Sequence, residues 1–500
     1  MVETDHELIL MDPWMNQGAF ANTWLQYPSN SHIGHSLIDA VWKTDKRVYY
    51  YISHEHQDHF DVTFIQNLCA DKTDITFIIP FFKRKYLREW FERNNKSYVI
   101  NVRDGDKVKL HSGYLQVFID DTVREADSAI LLHHKEIGGA TFNFLNMNDC
   151  HLHDRVLAIK NNIGHINILA AAFSGASWYP VCYGYTPNVM ANKITEVVQN
   201  RFSNLIKVLE DVGPDYYVPS AGPAAFVDKE SHRMYIDIRR NAFPDAEIFH
   251  QRLITHFMIG KKLPALPFVY DYHNPGGVLT TTPDKYMQLR SHVLPTTSTE
   301  SSPLDLQGIA IQLKDKLDNF TLVDQIGVSN LIIIPSDITG TFAIDVDFRD
   351  RDICIIEYNP ARDINMNRYV ISASAATLGL LSSKTLTWYE WLLTMKVGLH
   401  RVPDVFDPVL DGFLVCEPED LPAFCEQYKQ NSQRGERIKV WGNDGKQYEI
   451  SKYCPHAGAD LTNAFIHQNC VVCPKHGWKF ELSNGGKSIT GPCTIGAKEI

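Results

Sequence analysis

Several absences narrow the reading of this chain before any motif is considered. It has no run of 18 apolar residues, whereas a membrane-spanning helix takes about 20. Its first residues, MVETDHELIL, have neither the basic start nor the apolar stretch of a secretory signal. It has no block of lysine and arginine. With 48 basic and 59 acidic residues its net charge is −11, so neither nucleic acid nor a membrane is an expected partner. It has no internal repeat and no low-complexity tract. Ten cysteines in 500 residues do not make a disulfide framework, and the expected compartment is the cytoplasm.

What is present is the composition of a globular protein, 44% hydrophobic, 11% aromatic and 21% charged. A single core stops growing near about 250–300 residues, so the chain divides. LILMDPW (8–14), KRVYYYIS (46–53), DITFIIPFF (74–82), KSYVINV (96–102), GYLQVFID (113–120), SAILLHH (128–134) and TFNFLNMND (141–149) read as strands. VTFIQNLCA and KYLREWFERN read as helices, HINILAAAFSG as strand or buried helix, and KITEVVQNRFSNLIKVLEDVG as a long helix stopped by glycine. Strands mixed with helices over residues 1–300 predict sheets covered by helices, with chemistry at strand ends. A polar, turn-rich stretch then leads into a smaller α/β unit, 301–424, with strands LIIIPS, TFAIDVDF and DICIIEYN and a helix LTWYEWLLTMKVGLH. Residues 425–500, with short strands, an Asp-Gly turn and a glycine-rich tail, predict a nearly all-β unit.

The last unit holds a pattern that carries chemistry. CPHAGADL (454–461) and CPKHGW (473–478) place Cys-x-His and Cys-x-x-His with sixteen residues between them. Two thiolates and two imidazoles can hold a zinc ion, or a [2Fe–2S] cluster with two Cys on one iron and two His on the other. A zinc finger would normally continue into a helix, and here WKFELSNGGKSITG reads as strand and turn. The two motifs resemble those of the Rieske family. The resemblance implies a [2Fe–2S] cluster held by Cys454 and Cys473 on one iron and His456 and His476 on the other. Cys470 reads as a buried thiol and His467 as a surface residue. A cluster with both irons fully ligated passes electrons and cannot activate a substrate, so a second redox centre or a redox partner is expected.

A second cluster lies near the start. YISHEHQDHFD (51–61) puts three histidines and an aspartate at the end of a hydrophobic, aromatic strand. Where a strand breaks into a helix, His54 and His56 can face one ion while Asp58 and His59 turn toward a neighbour roughly 3.5–4 Å away; a solvated loop is the plainer alternative. The run resembles the HxHxDH loop of the metallo-β-lactamase fold. That resemblance implies an αββα sandwich over the first unit, Asp12 orienting the loop, and Asp149 bridging two ions. The family's next histidine is missing: DDTVREADSAILL has none at Val123 or Arg124, and Glu125, then Asp127, are the nearest replacements. Carboxylate in place of imidazole favours iron over zinc. The family's last histidine is matched loosely by His232, with His250, His256 and His273 as other candidates, while His133 and His134 read as packing or solvated.

MNDC (147–150), AAFSGASWYPVCY (171–183), VPSAGPAAFVDKESH (218–232) and HNPGG (273–277) resemble the catalytic region of the CMP-N-acetylneuraminate hydroxylase family. In that family the Rieske domain comes first; here it comes last, after a middle unit whose strand order and Trp-containing helix are similar to sterol-carrier-like folds. The resemblances imply a Rieske-coupled non-haem iron oxygenase that hydroxylates or N-oxygenates a small polar metabolite. Glu125 and Asp149 are the expected catalytic carboxylates, and His54, His56, Asp58, His59, Glu125, Asp149 and His232 the expected metal ligands. The implied cofactors are the [2Fe–2S] cluster and two iron ions, with O2 as co-substrate. The implied partner is an external electron donor (a ferredoxin, cytochrome b5 or a flavin reductase), and a homodimer is one way to bring cluster and iron together. The alternatives are a dinuclear metal hydrolase with a regulatory Rieske domain, and a redox relay protein. Among basic residues that could meet an anion, Arg124, Arg155, Arg233, Arg239 and Arg240 have no position from sequence, and Arg155 and Lys160 read as surface. Asp245 and Glu247 read as exposed helix charges.

Overall fold

The computed structural model describes residues 1–249, 252–253, 256 and 302–500, apart from 16–17, 27–30, 73, 95–97, 137, 176, 223–224, 227, 229, 245–247, 338–341 and 359–366. In the strand Ala126–Lys135, Ala126, Ile130 and Leu132 enter one hydrophobic cluster, while Ala129 and Leu131 enter another. A two-residue period points neighbouring side chains to opposite faces, so this sheet is buried on both sides. Its strands run in the order Tyr216–Ser220, Ile168–Ala172, Thr141–Asn148, Ala126–Lys135, Gly113–Asp121 and Lys107–Leu110. The first three are parallel and the rest antiparallel.

One face of that sheet packs toward a second sheet, ordered Val2–Glu3, Glu7–Met11, Arg47–Tyr51, Thr76–Pro80, Tyr98–Val102. The shared core joins Leu115, Val117 and Ile119 to Ile9, Tyr50 and Ile78, and it also takes in Leu37, Phe64 and Leu87 from the helices Ser31–Lys43, Val62–Leu68 and Tyr86–Arg93. The other face is covered by Val156–Ile163 and by the 26-residue helix Pro187–Val212. Proline opens that long helix and Gly213, at φ +58°, closes it. The layers are helix, sheet, sheet, helix, with HINILAAAFSG resolved as strand.

The middle unit has a sheet ordered Asp352–Glu357, Phe342–Asp347, Asn330–Pro335, Arg368–Ala373, Val397–Val402. The expected helix LTWYEWLLTMKVGLH is shorter than its sequence pattern suggests. It ends at Leu393, Met395 takes φ +57°, and Val397–Val402 pairs as a strand with Arg368–Ala373. This unit shares one core with the first, joining Phe20, Trp24 and Trp178 to Trp388, Trp391 and Leu399. Trp24 Nε1 donates to the Leu393 carbonyl at 2.7 Å, and Leu399 N donates to the Cys182 carbonyl at 2.8 Å. The C-terminal unit is β-rich, with a three-stranded and a four-stranded sheet. No helix among the described residues is long and apolar enough to cross a membrane.

Candidate metal centres and the cavity they share

The buried strand Arg47–Tyr51 delivers the loop 52–61, which ends where Asp61 caps the helix Val62–Leu68 by accepting from Phe64 N. Asp12, at the end of the neighbouring parallel strand, shapes this loop. Its Oδ1 accepts from Ser53 N at 2.7 Å; its Oδ2 lies 3.2 Å from His59 Nδ1 and accepts from Asn148 Nδ2 at 2.8 Å. His54 Nε2 lies 2.8 Å from His56 Nδ1 and 4.0 Å from Asp149 Oδ2. His59 Nε2 is 3.6 Å from both Asp58 Oδ2 and Asp149 Oδ2. Asp149 therefore stands between a His54–His56 pair and an Asp58–His59 pair.

The chemistry of this group fits metal ions. Asp58 Oδ1 and Asp149 Oδ1 are buried with no hydrogen-bond donor among the described residues, which is costly unless a cation meets them. Adjacent ligands on metal–nitrogen bonds of about 2.1 Å lie about 3 Å apart, close to the His54–His56 spacing. Burial alone would lower His54, but Asp127 and Asp149 hold it up at about 9. Burial alone would raise Asp149, but His59, His54 and His56 hold its carboxyl below the usual range.

Not every expected residue joins this group. Asp127 Oδ1 lies 3.2 Å from His54 Nδ1, the nitrogen facing away from His56. Glu125 does not take the place of the missing histidine. It lies in a turn closed by Glu125 N to the Thr122 carbonyl at 3.0 Å, before the strand begins at Ala126, and its carboxylate meets Arg124 and His476. His232 does not line the cavity onto which the group opens; its Nδ1 is 3.4 Å from the Phe226 carbonyl oxygen. His256 pairs at 2.7 Å with Glu210 on the surface, and His133 stacks on Tyr114. His250, His273, Asp245 and Glu247 lie outside the described residues.

The C-terminal pair of loops repeats one design. Cys454 N donates to the Ala459 carbonyl and Gly458 N to the Cys454 carbonyl; Cys473 N donates to the Trp478 carbonyl and Gly477 N to the Cys473 carbonyl. Gly458 and Gly477 both sit at φ +70°, where a side chain would be strained. The two thiols are fully buried, Cys454 Sγ is 2.8 Å from His456 Nδ1, and His456 Nε2 is 2.6 Å from His476 Nδ1. Two buried thiols and two imidazoles converging from matched loops fit a [2Fe–2S] cluster. Trp478 stacks on the His456 ring at 4.4 Å. Cys470 is buried away in a strand and His467 is exposed, as the sequence suggested.

The two candidate ligand groups lie near one another within one chain. His476 Nε2 lies 3.2 Å from Glu125 Oε2. Tyr389, on the middle-unit helix Trp388–Leu393, places its hydroxyl 3.4 Å from Glu125 Oε1 and its ring 5.0 Å from that of His56. Arg124 grips Glu125 and is itself held by Asp411. Burial would raise Glu125, but Arg124 and His476 hold its carboxyl well below the usual range. The C-terminal loops are fixed in place by Lys475 on Asp120 at 2.6 Å, Asn204 Nδ2 on the Pro474 carbonyl at 3.0 Å, and Asp460 N on Asp154 at 3.0 Å. One cavity of about 2240 Å³ is lined by His56, Asp58 and Asp149 and also by His456 and His476. Sequence reading missed Tyr389, whose signal was only an aromatic residue in a helix 333 positions from His56.

Comparison with known proteins agrees with the C-terminal reading. The model of the Rieske [2Fe–2S] domain matches residues 411–499. A protein from Mycolicibacterium smegmatis described as a Rieske 2Fe-2S iron-sulfur protein is 25% identical over 97% of this chain and 95% of its own. One from Mycobacterium tuberculosis is 25% identical over the same shares. The cholesterol 7-desaturase of Caenorhabditis elegans is 32% identical over 17% of this chain and 21% of its own. Among solved structures, CmlA, a diiron β-hydroxylase from Streptomyces venezuelae, has a TM-score of 0.27 at 13% identity, covering 43% of each chain. The metallo-β-lactamase fold protein YhfI from Bacillus subtilis has a TM-score of 0.22 at 10% identity, covering 39% of this chain and 70% of its own. The architecture is thus mixed α/β with a C-terminal Rieske domain, and likenesses as weak as the last two carry no functional inference.

Proposed function

We propose that the protein is a Rieske-coupled non-haem iron oxygenase, with two irons at the first site, that hydroxylates or N-oxygenates a small polar metabolite. The observation that carries this reading is the contact between His476 and Glu125. An expected cluster ligand touches a carboxylate that leads, through Tyr389, to the ring of His56. A hydrolase has no use for such a connection, and a relay protein has no use for the second ligand group.

In this reading His54, His56, Asp58, His59 and Asp149 hold iron, and Cys454, His456, Cys473 and His476 hold the cluster. Bound there, iron supplies the reduction of O2 and the cluster supplies single electrons from an external donor. The chain does the rest. Asp12 and Asp127 take the outer nitrogens of His59 and His54, fixing both rings in one orientation. Arg124 and Asp411 hold Glu125 ionised, with its carboxylate against the outer nitrogen of His476. The shared cavity admits the metabolite beside Asp149. The chemistry, rather than the nucleotide-sugar substrate, is what the hydroxylase resemblance contributes to this reading.

The test needs no substrate. Purified chain should hold iron beyond the cluster, and a chemically reduced cluster should be reoxidised by O2 at a rate that Asp149→Ala strongly lowers while the cluster's paramagnetic resonance signal is kept. Zinc at the first site, with reoxidation unchanged in Asp149→Ala, would establish the hydrolase or relay instead.

A further inference from the structure

Among the described residues, four arginines line the cavity: Arg84, Arg124, Arg201 and Arg401. Three are taken. Arg84 pairs with Glu55 and Asp420, Arg124 with Glu125 and Asp411, and Arg401 with Asp404. Arg201, in the middle of the helix Pro187–Val212, meets no carboxylate and no hydrogen-bond acceptor among the described residues. Burial is the one influence on its guanidinium, which it lowers to about 10. Of the other basic residues that the sequence offered, Arg240 does not line the cavity and the rest are engaged elsewhere. Arg155 pairs with Asp104, Lys160 donates to the Asp211 carbonyl, Arg233 donates to the Met395 and Val397 carbonyls, and Arg239 pairs with Asp237.

The surroundings of Arg201 are built for close approach. A Cβ at Gly175 would stand 2.2 Å from Arg201 Nη2, so the guanidinium packs directly against the backbone at Gly175. Gly222, at φ +133°, lies against Ser174 in the same way, its own Cβ position falling 3.1 Å from that of the serine. The hydroxyls of Ser174 and Ser220 are buried without a partner among the described residues, and both side chains line the cavity. Buried hydroxyls left unpaired are rare and costly, and rotation about χ1 turns either of them toward the cavity.

We propose that Arg201, Ser174 and Ser220 form a carboxylate-binding site that anchors the substrate. A guanidinium takes a carboxylate through two parallel hydrogen bonds, and two hydroxyls complete the donor set. One unpaired cation balances one negative charge. A phosphate dianion would call for a second cation, and the two lysines of this helix, Lys193 and Lys207, are already paired with Asp404 and Asp211. The placement also sets a length. Asp149, Ser174 and Ser220 lie at or just past the carboxyl ends of three adjacent parallel strands, Thr141–Asn148, Ile168–Ala172 and Tyr216–Ser220. Neighbouring strands lie about 4.8 Å apart, so the anchor stands roughly 5–10 Å from the bridging aspartate. The substrate is therefore a carboxylic acid oxidised several bonds away from its carboxyl group. The role as substrate anchor rests on the oxygenase reading; the carboxylate site itself does not.

The full-length, iron-loaded chain is titrated calorimetrically, without reductant, with sodium benzoate, with neutral benzamide and with inorganic phosphate. Saturable benzoate binding is expected, with benzamide silent at the same concentrations. Arg201→Gln should weaken benzoate by about tenfold or more, and Arg201→Lys should retain part of it, with the cluster signal intact in both variants. Equal benzoate affinity in Arg201→Gln, binding of benzamide as tight as benzoate, no saturable benzoate binding, or Arg201-dependent phosphate binding tighter than benzoate would each overturn the proposal. Zinc at the first site would sink the oxygenase reading and leave benzoate binding untouched. Loss of the carboxylate site would leave iron content and reoxidation by O2 untouched.

Discussion

His476 and Glu125 are 351 residues apart in sequence, and their Nε2 and Oε2 atoms are 3.2 Å apart in the fold. The contact crosses between the C-terminal loops and the first unit, so it depends on how the two are docked and on what holds each partner. Arg124 and Asp411 hold the carboxylate, and the matched glycine turns hold the imidazole.

Glu125→Gln keeps the shape and removes the charge. The cluster signal and the iron of the first site should be retained, while reoxidation of the reduced cluster by O2 should slow by about 10- to 100-fold, the usual effect of losing a partner to a ligating group. Asp127→Asn should do the reverse, lowering first-site iron. Iron analysis and stopped-flow absorbance on the two variants side by side check both. Loss of first-site iron in Glu125→Gln would return that residue to the metal group.

Lys475 and Asp120 form a buried pair at the docking surface, 9% exposed at the lysine. Lys475→Met leaves a buried aspartate alone, which costs about 3–5 kcal/mol. The urea midpoint of the cluster's visible absorbance should fall, and the second change Asp120→Leu should restore most of the loss. An unchanged midpoint in Lys475→Met would show that the C-terminal unit does not rely on this surface.

His153 gives an acid-side test. Burial, with His151, His476 and Lys475 nearby, pushes its imidazole down to about 3 from 6.5. The fold thus prefers the neutral ring. Its contribution is complete above pH 6.5 and is lost as pH falls toward 3, at up to about 1.4 kcal/mol per pH unit. His153→Phe should flatten the decline in thermal midpoint between pH 6.5 and 4.5; a decline as steep as the parent's would remove His153 as its source.

The parts of the site legible in sequence are those whose ligands sit close together. Cys454, His456, Cys473 and His476 lie on two short loops, and His54 to His59 lie on one, so spacing alone groups them. Asp149 was legible because it ends a strand. Glu125 and Asp127 were not separable, since two positions apart in a strand would share a face. The turn at Thr122–Glu125 breaks that rule and sends one acid to His476 and the other to His54. Tyr389 and Arg201 were hidden for another reason. Each sits on a helix whose pattern is explained by packing, and only the tertiary fold shows which residue of the helix faces the cavity. The end of the helix at Leu393 was misplaced because an amphipathic pattern runs on into the buried strand Val397–Val402.

The central claim, that electrons pass from cluster to iron within one chain, is tested by co-expressing two variants with different tags. Asp149→Ala keeps the cluster and loses the first-site iron; Cys454→Ser does the opposite. The two variants, mixed at high concentration and, where they associate, also purified through both tags, are reduced without oxygen and exposed to O2 while the cluster's paramagnetic resonance signal is followed. Transfer within a chain predicts that the signal decays as slowly as in Asp149→Ala alone. Rapid decay, restored by the iron of the neighbouring chain, would contradict the account.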